Sequence, residues 1–180
     1  MLSKTITKYR KVIMVGKVFR EYGINLLYGE SGVGKTISAI KALNEDELTP
    51  ILLDFDNNDS PEFNECKYDH INGAEVLASE ESIVMPVDRI IIVDTWSEYQ
   101  SAGGTIEFLY RLANKNTVIL IDHSKAIATK QDIPTLSGKV ANHLSAKLYL
   151  ERIKKDNSVQ LRILKSRGYR GPGIIHNWMR

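Results

Sequence analysis

Cysteine is nearly absent from this 180-residue chain. Cys66 stands alone, which excludes an internal disulfide and any cysteine-rich zinc site. Long apolar runs are also missing, and none approaches the roughly 20 residues that span a bilayer. The N-terminal MLSKTITKYRK is charged and has no apolar stretch behind it, so no secretory signal is read. A reducing cytoplasm is the compartment these absences fit. Neither an internal repeat nor a low-complexity linker interrupts the sequence, and the length suits a single domain over residues 1–180 with a proper core.

Charge is scarce in net terms but unevenly spread. Residues 1–20 carry Lys4, Lys8, Arg10, Lys11, Lys17 and Arg20 with no acid, whereas residues 44–99 hold fifteen acids against Lys67 and Arg89. From residue 145 onward nine bases face only Glu151 and Asp156. Such blocks suit contact between neighbouring subunits or with a polyanion, and equally the solvated faces of one globule.

One motif outweighs everything else. Gly29-Glu30-Ser31-Gly32-Val33-Gly34-Lys35-Thr36 fits G-x-x-x-x-G-K-[ST] at every position. The apolar Ile24–Tyr28 before it reads as a buried strand, and Thr36–Leu43 after it reads as a helix. Glycines let backbone N–H groups turn inward around a phosphate chain, and the helix start adds its positive dipole end. Lys35 is suited to the β- and γ-phosphates and Thr36 to Mg²⁺. The pattern predicts a nucleoside triphosphate ligand with Mg²⁺.

The rest alternates strands with helices. A short leading strand is expected over Lys11–Val15, and a further strand over Ile51–Leu53 with Asp54-Phe55-Asp56 at its end. Residues 60–86 are the least legible, with a helix expected from Ala74 to Glu81. Arg89–Asp94 and Thr117–Asp122 are apolar, β-branched runs ending on acids, and Trp96–Asn114 reads as helix interrupted at Gly103-Gly104. Continuous apolar runs indicate a parallel sheet covered on both faces, an α/β fold. After a polar stretch, His123–Thr135, a short helix is expected around Leu136–Ser145. Lys147–Arg152 and Val159–Leu164 then alternate around a turn, an antiparallel hairpin signal, with a last strand over Gly173–Trp178.

Two acids compete for the Mg²⁺ shell, Asp94 and Asp122. Asp94 is preferred, on the expectation that one strand lies between the phosphate-loop strand and the next sensor strand. Asp56 is the candidate to orient or deprotonate an attacking water, with Glu62 and Glu98 as the other choices. His123 and Lys125 follow the Asp122 strand, where a polar side chain can touch the γ-phosphate or simply end the strand. Lys165 and Arg167 are two apart on an extended segment, so both project from one face. An anion opposite them is expected, such as a nucleotide phosphate on a neighbouring subunit, an arrangement worth roughly 10³–10⁵ in rate. A surface basic hairpin is the other reading.

The order of these features resembles the RecA-like ATPase core shared by RecA, archaeal RadA, the DnaB-type helicases, the plasmid RepA helicase and KaiC. The Gly29–Thr36 loop is similar to that of RadA. Leu53-Asp54-Phe55-Asp56 is similar to the strand ending on the family's catalytic glutamate, Asp56 being one methylene shorter. Ile121-Asp122-His123-Ser124-Lys125 occupies the sensor strand, and its histidine resembles the RepA and helicase branch. Lys165-x-Arg167-x-x-x-Gly171-Pro172 resembles the K-x-R motif that DnaB-type ATPases insert into the adjacent subunit, with glycine-proline spaced two residues further on.

The resemblance spans residues 11–180 and implies a P-loop NTPase of the RecA type. Its mainly parallel central sheet would be flanked by helices and extended by a C-terminal antiparallel hairpin. It implies ATP hydrolysis, a ring or filament of identical subunits with ATP at their interface, and action on single-stranded DNA in recombination, repair or replication. With no room for the extra domains of RadA, DnaB or RecA, the chain looks like the short RecA-core proteins of phages and archaeal viruses, and host cytoplasm would then be its location. Residues 124–135 would be a DNA-facing loop with Lys125 and Lys130 its only cations, poor in stacking groups. That sparseness leaves a KaiC-like regulatory or assembly ATPase with a protein partner as the alternative. A nucleotide-binding protein with little hydrolysis and a small-molecule kinase are further alternatives.

Overall fold

Strands that read as continuous apolar runs form the centre of the sheet. The structure, a computed structural model, describes residues 14–56, 61–79, 86–123, 144–153, 156, 158–167 and 169–178. In chain order the elements are β1 (Met14–Val15), β2 (Phe19–Arg20), β3 (Gly23–Gly29), α1 (Lys35–Glu45), β4 (Ile51–Asp54), a 3-10 turn (Pro61–Glu65), β5 (Asp69–Asn72) and α2 (Gly73–Ala78). There follow β6 (Ile90–Asp94), α3 (Trp96–Ser101), α4 (Ile106–Ala113), β7 (Thr117–His123), β8 (Leu144–Ile153), β9 (Ser158–Ser166) and β10 (Ile174–His176).

Eight strands pair in the order β10-β9-β8-β3-β7-β6-β4-β5, while β1 and β2 form a separate small ribbon. Every pairing from β8 across to β5 is parallel. The C-terminal strands break that pattern, β9 running antiparallel to β8 and β10 antiparallel to β9. This is the mainly parallel α/β sheet with a C-terminal antiparallel extension that the sequence predicts.

Successive side chains on a strand point to opposite faces, so each central strand feeds two cores. Leu27, Ile92, Ile119 and Ile121 pack on the face that carries α1. Leu26, Ile91, Val93, Val118 and Leu120 pack on the face covered by Trp96, Tyr99, Phe108, Leu109 and Leu112 from α3 and α4. Each fully buried Leu or Ile contributes about 1.5–3 kcal/mol relative to exposure. The central strands therefore form a stiff floor.

Parallel pairing also gathers all their carboxyl ends on one edge. There Gly29 is the register partner of His123, and Asp54 that of Asp94. Polar side chains that end apolar strands are brought together there by topology alone.

Several expectations are corrected. β7, the expected sensor strand, pairs directly with β3 with nothing between them, and the strand carrying Asp94 lies one place further out. β5 falls where no strand is expected. All four of its residues are exposed at the sheet edge, so no apolar pattern marks it. The helix expected from Ala74 to Glu81 is α2, which starts at Gly73 and ends at Ala78. Leu144 and Ser145, expected in a helix, begin β8. The rest of that expected helix, residues 1–13, and Lys125 and Lys130 lie outside the described residues.

Candidate functional site

Between β3 and α1 the loop folds around two left-handed glycines, Gly32 at φ 73° and Gly34 at φ 86°. A side chain at either position would be strained. Gly34 is the N-cap of α1 and offers no side-chain oxygen to the first turn, which also contains no acid. The other helices differ. Asn72, Thr95 and Thr105 cap α2, α3 and α4 with side-chain oxygens, and Glu75, Glu98 and Glu107 stand in their first turns. Among the described residues, α1 is thus the helix whose leading N–H groups and dipole end have no anionic or hydroxyl partner from the chain.

Lys35 is only 4% exposed. Its Nζ donates to Glu30 O at 2.8 Å and to Gly29 O at 3.2 Å, and lies 3.1 Å from His123 Nδ1. Burial lowers its pKa to about 8, against the opposing pull of Asp94, Asp122 and Asp56. No carboxylate forms an ion pair with this ammonium within 4 Å among the described residues; what surrounds it is carbonyl, imidazole and the open mouth of a cleft.

Thr36 and Asp94 meet directly. The Thr36 hydroxyl donates to Asp94 Oδ2 at 2.7 Å, and both residues are buried. Burial raises the Asp94 pKa to about 6, the hydroxyl opposing the rise and Asp54 and Asp56 adding to it. Asp122 takes a different course. Its strand neighbour Ile121 is the register partner of Asp94, so Asp122 faces the opposite layer. There burial raises its pKa, against main-chain hydrogen bonds from His123 and Ser97.

The cleft at this edge measures about 240 Å³ and is lined by Ser31, Gly32, Gly34, Lys35, Thr36, Asp56, Asp94 and His123, with Ile37, Glu62, Phe63 and Ile121. Asp56 and Glu62 thus face it, whereas Glu98 is given over to the start of α3. Partial burial, and then the Lys35 ammonium, lower the His123 pKa. Phe63 and Ile121 are apolar linings that sequence patterns do not mark.

Lys165 and Arg167 stand elsewhere. Leu150 pairs with both Gly29 and Leu161, and Lys165 lies four residues beyond Leu161 toward the opposite edge. At about 3.3 Å per residue that is roughly 13 Å down the sheet and two strands across, out of reach of this copy's own loop. β9 ends at Ser166, so Arg167 sits in the following turn, its N–H donating to Ser145 O at 3.1 Å. Strand alternation therefore governs Lys165 but not Arg167. Lys165 is instead the direct cross-strand partner of Lys147, whose pKa burial and then Lys165 lower.

The donor set suits a magnesium triphosphate. Mg²⁺ is ordinarily held by one or two protein oxygens plus phosphate oxygens and water, and Thr36 with Asp94 offers that number. A metal site made wholly of protein would need more. Among the described residues no group of three or more His, Cys, Asp or Glu is arranged to hold a metal.

No family model matches the chain, and no curated protein matches its sequence. Solved structures do match its fold. One, described as an ATPase domain, superposes with a TM-score of 0.57 at 12% identity, over 86% of this chain and 80% of that one. The RadB recombinase superposes with a TM-score of 0.62 at 14% identity, over 88% and 87%. The architecture described above is a RecA/RadA-like P-loop ATPase fold.

Proposed function

We propose that this chain binds Mg²⁺·ATP at the loop before α1 and hydrolyses it in an oligomer that acts on single-stranded DNA. The observation that carries the reading is the uncapped start of α1, set beside the buried Lys35 ammonium and the Thr36–Asp94 pair. Taken together, these groups have unspent affinity for a large anion with a divalent cation.

The bound nucleotide supplies the scissile phosphoanhydride and the ion that neutralises its developing charge. The chain's own residues do the remainder. Amides of the Gly29–Thr36 loop and the Lys35 ammonium hold phosphate oxygens, and Thr36 and Asp94 hold the ion. Asp56 orients or deprotonates the attacking water from across the cleft. His123, 3.1 Å from Lys35, links the phosphate-binding lysine to the segment that follows β7. Lys165 and Arg167 act on the nucleotide of a neighbouring copy, since their own loop is out of reach.

A nucleic-acid partner is supported by the fold shared with a recombinase and by the basic blocks in residues 1–20 and from 145 onward. The test is ATP turnover with and without single-stranded DNA, with particle size recorded in parallel. Turnover should rise with DNA, and DNA binding should weaken steeply as salt rises. Absence of any DNA effect with ATP turnover intact would favour a protein-directed ATPase. Arg167→Ala should keep ATP binding and lose roughly 10³-fold or more in turnover; wild-type turnover in that variant would refute the shared site.

A further inference from the structure

We infer that His70 is a positioning residue that holds Asp56 at the cleft through the buried carboxylate of Asp54. The inference rests on the hydrolytic reading of Asp56. Neither Asp54 nor His70 lines the cleft, yet both bear on Asp56, one of the acids that do.

Asp54 ends β4 and is 4% exposed. Each of its two oxygens meets a partner. Oδ1 accepts from the Asp56 N–H at 3.0 Å, across the sharp turn that follows the strand. Oδ2 lies 3.0 Å from His70 Nε2. A buried carboxylate that accepts at both oxygens has little rotational freedom, so the imidazole helps to hold the plane in which Oδ1 presents itself to Asp56.

His70 is itself held. Its strand, β5, lies beside β4 with Leu52 as its register partner. The Tyr68 ring meets His70 edge-on at 6.5 Å, and Phe63, a lining residue of the cleft, meets Tyr68 at 5.6 Å. On the opposite face the turn is fixed through Phe55, which packs edge-on to Tyr99 at 5.5 Å. Gly73 leaves it that room, since a Cβ there would come within 2.4 Å of the Phe55 ring. Phe55 N also donates to Asp94 O at 2.7 Å. The backbone that carries Asp56 is therefore clamped from both sides of the sheet, and His70 is the outermost member of the clamp.

This gives β5 a purpose. It buries nothing of its own, all four residues being exposed, and it brings a histidine to the carboxylate that steadies the acid. A reactive water needs its base held to well within an ångström, and loss of such support typically costs about 10–100-fold.

The experiment uses the full chain and replaces His70, whose side chain is about half exposed, so the substitution leaves both cores intact. His70→Ala should lower kcat for ATP about tenfold with KM unchanged, and His70→Gln, whose amide nitrogen can take the place of Nε2, should restore most of it. In an Asp56→Ala background, His70→Ala should have no further effect, because it acts only through Asp56. Independently of turnover, exchange of the Asp56 amide hydrogen, followed by NMR in the ligand-free protein, should quicken about tenfold in His70→Ala and recover in His70→Gln. Wild-type kcat in His70→Ala overturns the inference, as does a loss additive with Asp56→Ala or an unchanged amide. If the unaltered protein turns over no ATP, the hydrolytic reading fails separately, and the amide measurement still decides whether His70 holds Asp56.

Discussion

At the start of α4, Thr105 turns its hydroxyl back to accept from the Phe108 N–H at 3.2 Å, and Glu107 stands in the first turn. At the start of α1 there is only Gly34 in a left-handed conformation, followed by a buried lysine. The first helix end is self-sufficient. The second leaves amides uncapped, adds a cation to them and buries it, all of which weigh against stability unless an anion completes the set. Two helix starts in one small fold thus differ, one closed by the chain's own side chains and the other left open.

Lys35→Met breaks the contrast most severely. It should abolish ATP turnover and weaken ATP binding at least about a hundredfold, since a charge-assisted contact to phosphate is lost from a sheltered site. The melting temperature of the ligand-free protein should hold or rise, because an apolar side chain of similar length replaces a buried ammonium. Calorimetric titration and a thermal melt check both halves. A marked fall in stability would mean that Lys35 is structural.

Gly34→Ala tests the left-handed cap. Forcing a Cβ into φ 86° should cost about 1–2 kcal/mol of stability, read as a shift in the urea midpoint. Thr105→Ala supplies the other side of the comparison. Loss of its cap should cost about 1 kcal/mol while leaving ATP affinity unchanged. If Thr105→Ala weakened ATP binding as much as Lys35→Met, the division between the two helix ends would not stand.

The smallest effect is a proton. Burial holds the Lys35 pKa near 8, so at pH 8.5 the amine is mostly neutral in the free protein. A bound triphosphate raises that pKa, and binding at pH 8.5 should draw in roughly half a proton or more, whereas at pH 7 the ammonium is already formed and uptake should be slight. Asp94, near 6, is ionised throughout this range. Calorimetry in buffers of different ionisation enthalpy measures the difference. Equal uptake at the two pH values would assign the proton to another group.

The sequence was most legible where burial is complete. Ile24–Tyr28, Ile90–Asp94 and Thr117–Asp122 lie in strands covered on both faces, so apolar runs betray them. α3 ends at Ser101 and α4 starts after its cap Thr105, so the helical pattern breaks at Gly103-Gly104 as the sequence indicates. β5 was illegible because Asp69-His70-Ile71-Asn72 is an exposed edge strand, held by hydrogen bonds to β4 rather than by burial. With it went the Asp54–His70 contact, which joins residues on separate strands.

The competition between Asp94 and Asp122 shows where pattern reading stops. Both end apolar strands, and nothing local separates them. Register does. With a side-chain period of two, a displacement of one residue turns a carboxylate to the other face. Because Asp94 pairs with Ile121, Asp122 faces α3 while Asp94 meets Thr36.

By itself the amino-acid order determined the glycine turn between β3 and α1, the central strands and the hydrophobic faces of the sheet. Those depend on glycine stereochemistry and on the periodicity of apolar residues, both of which are local. Only the tertiary structure decided which acid meets Thr36, that His123 lies against Lys35, that Lys165 and Arg167 lie far from their own loop, and that His70 reaches Asp54. These depend on strand order and register, which are set by how separate segments pack and so leave no trace in any single stretch of chain.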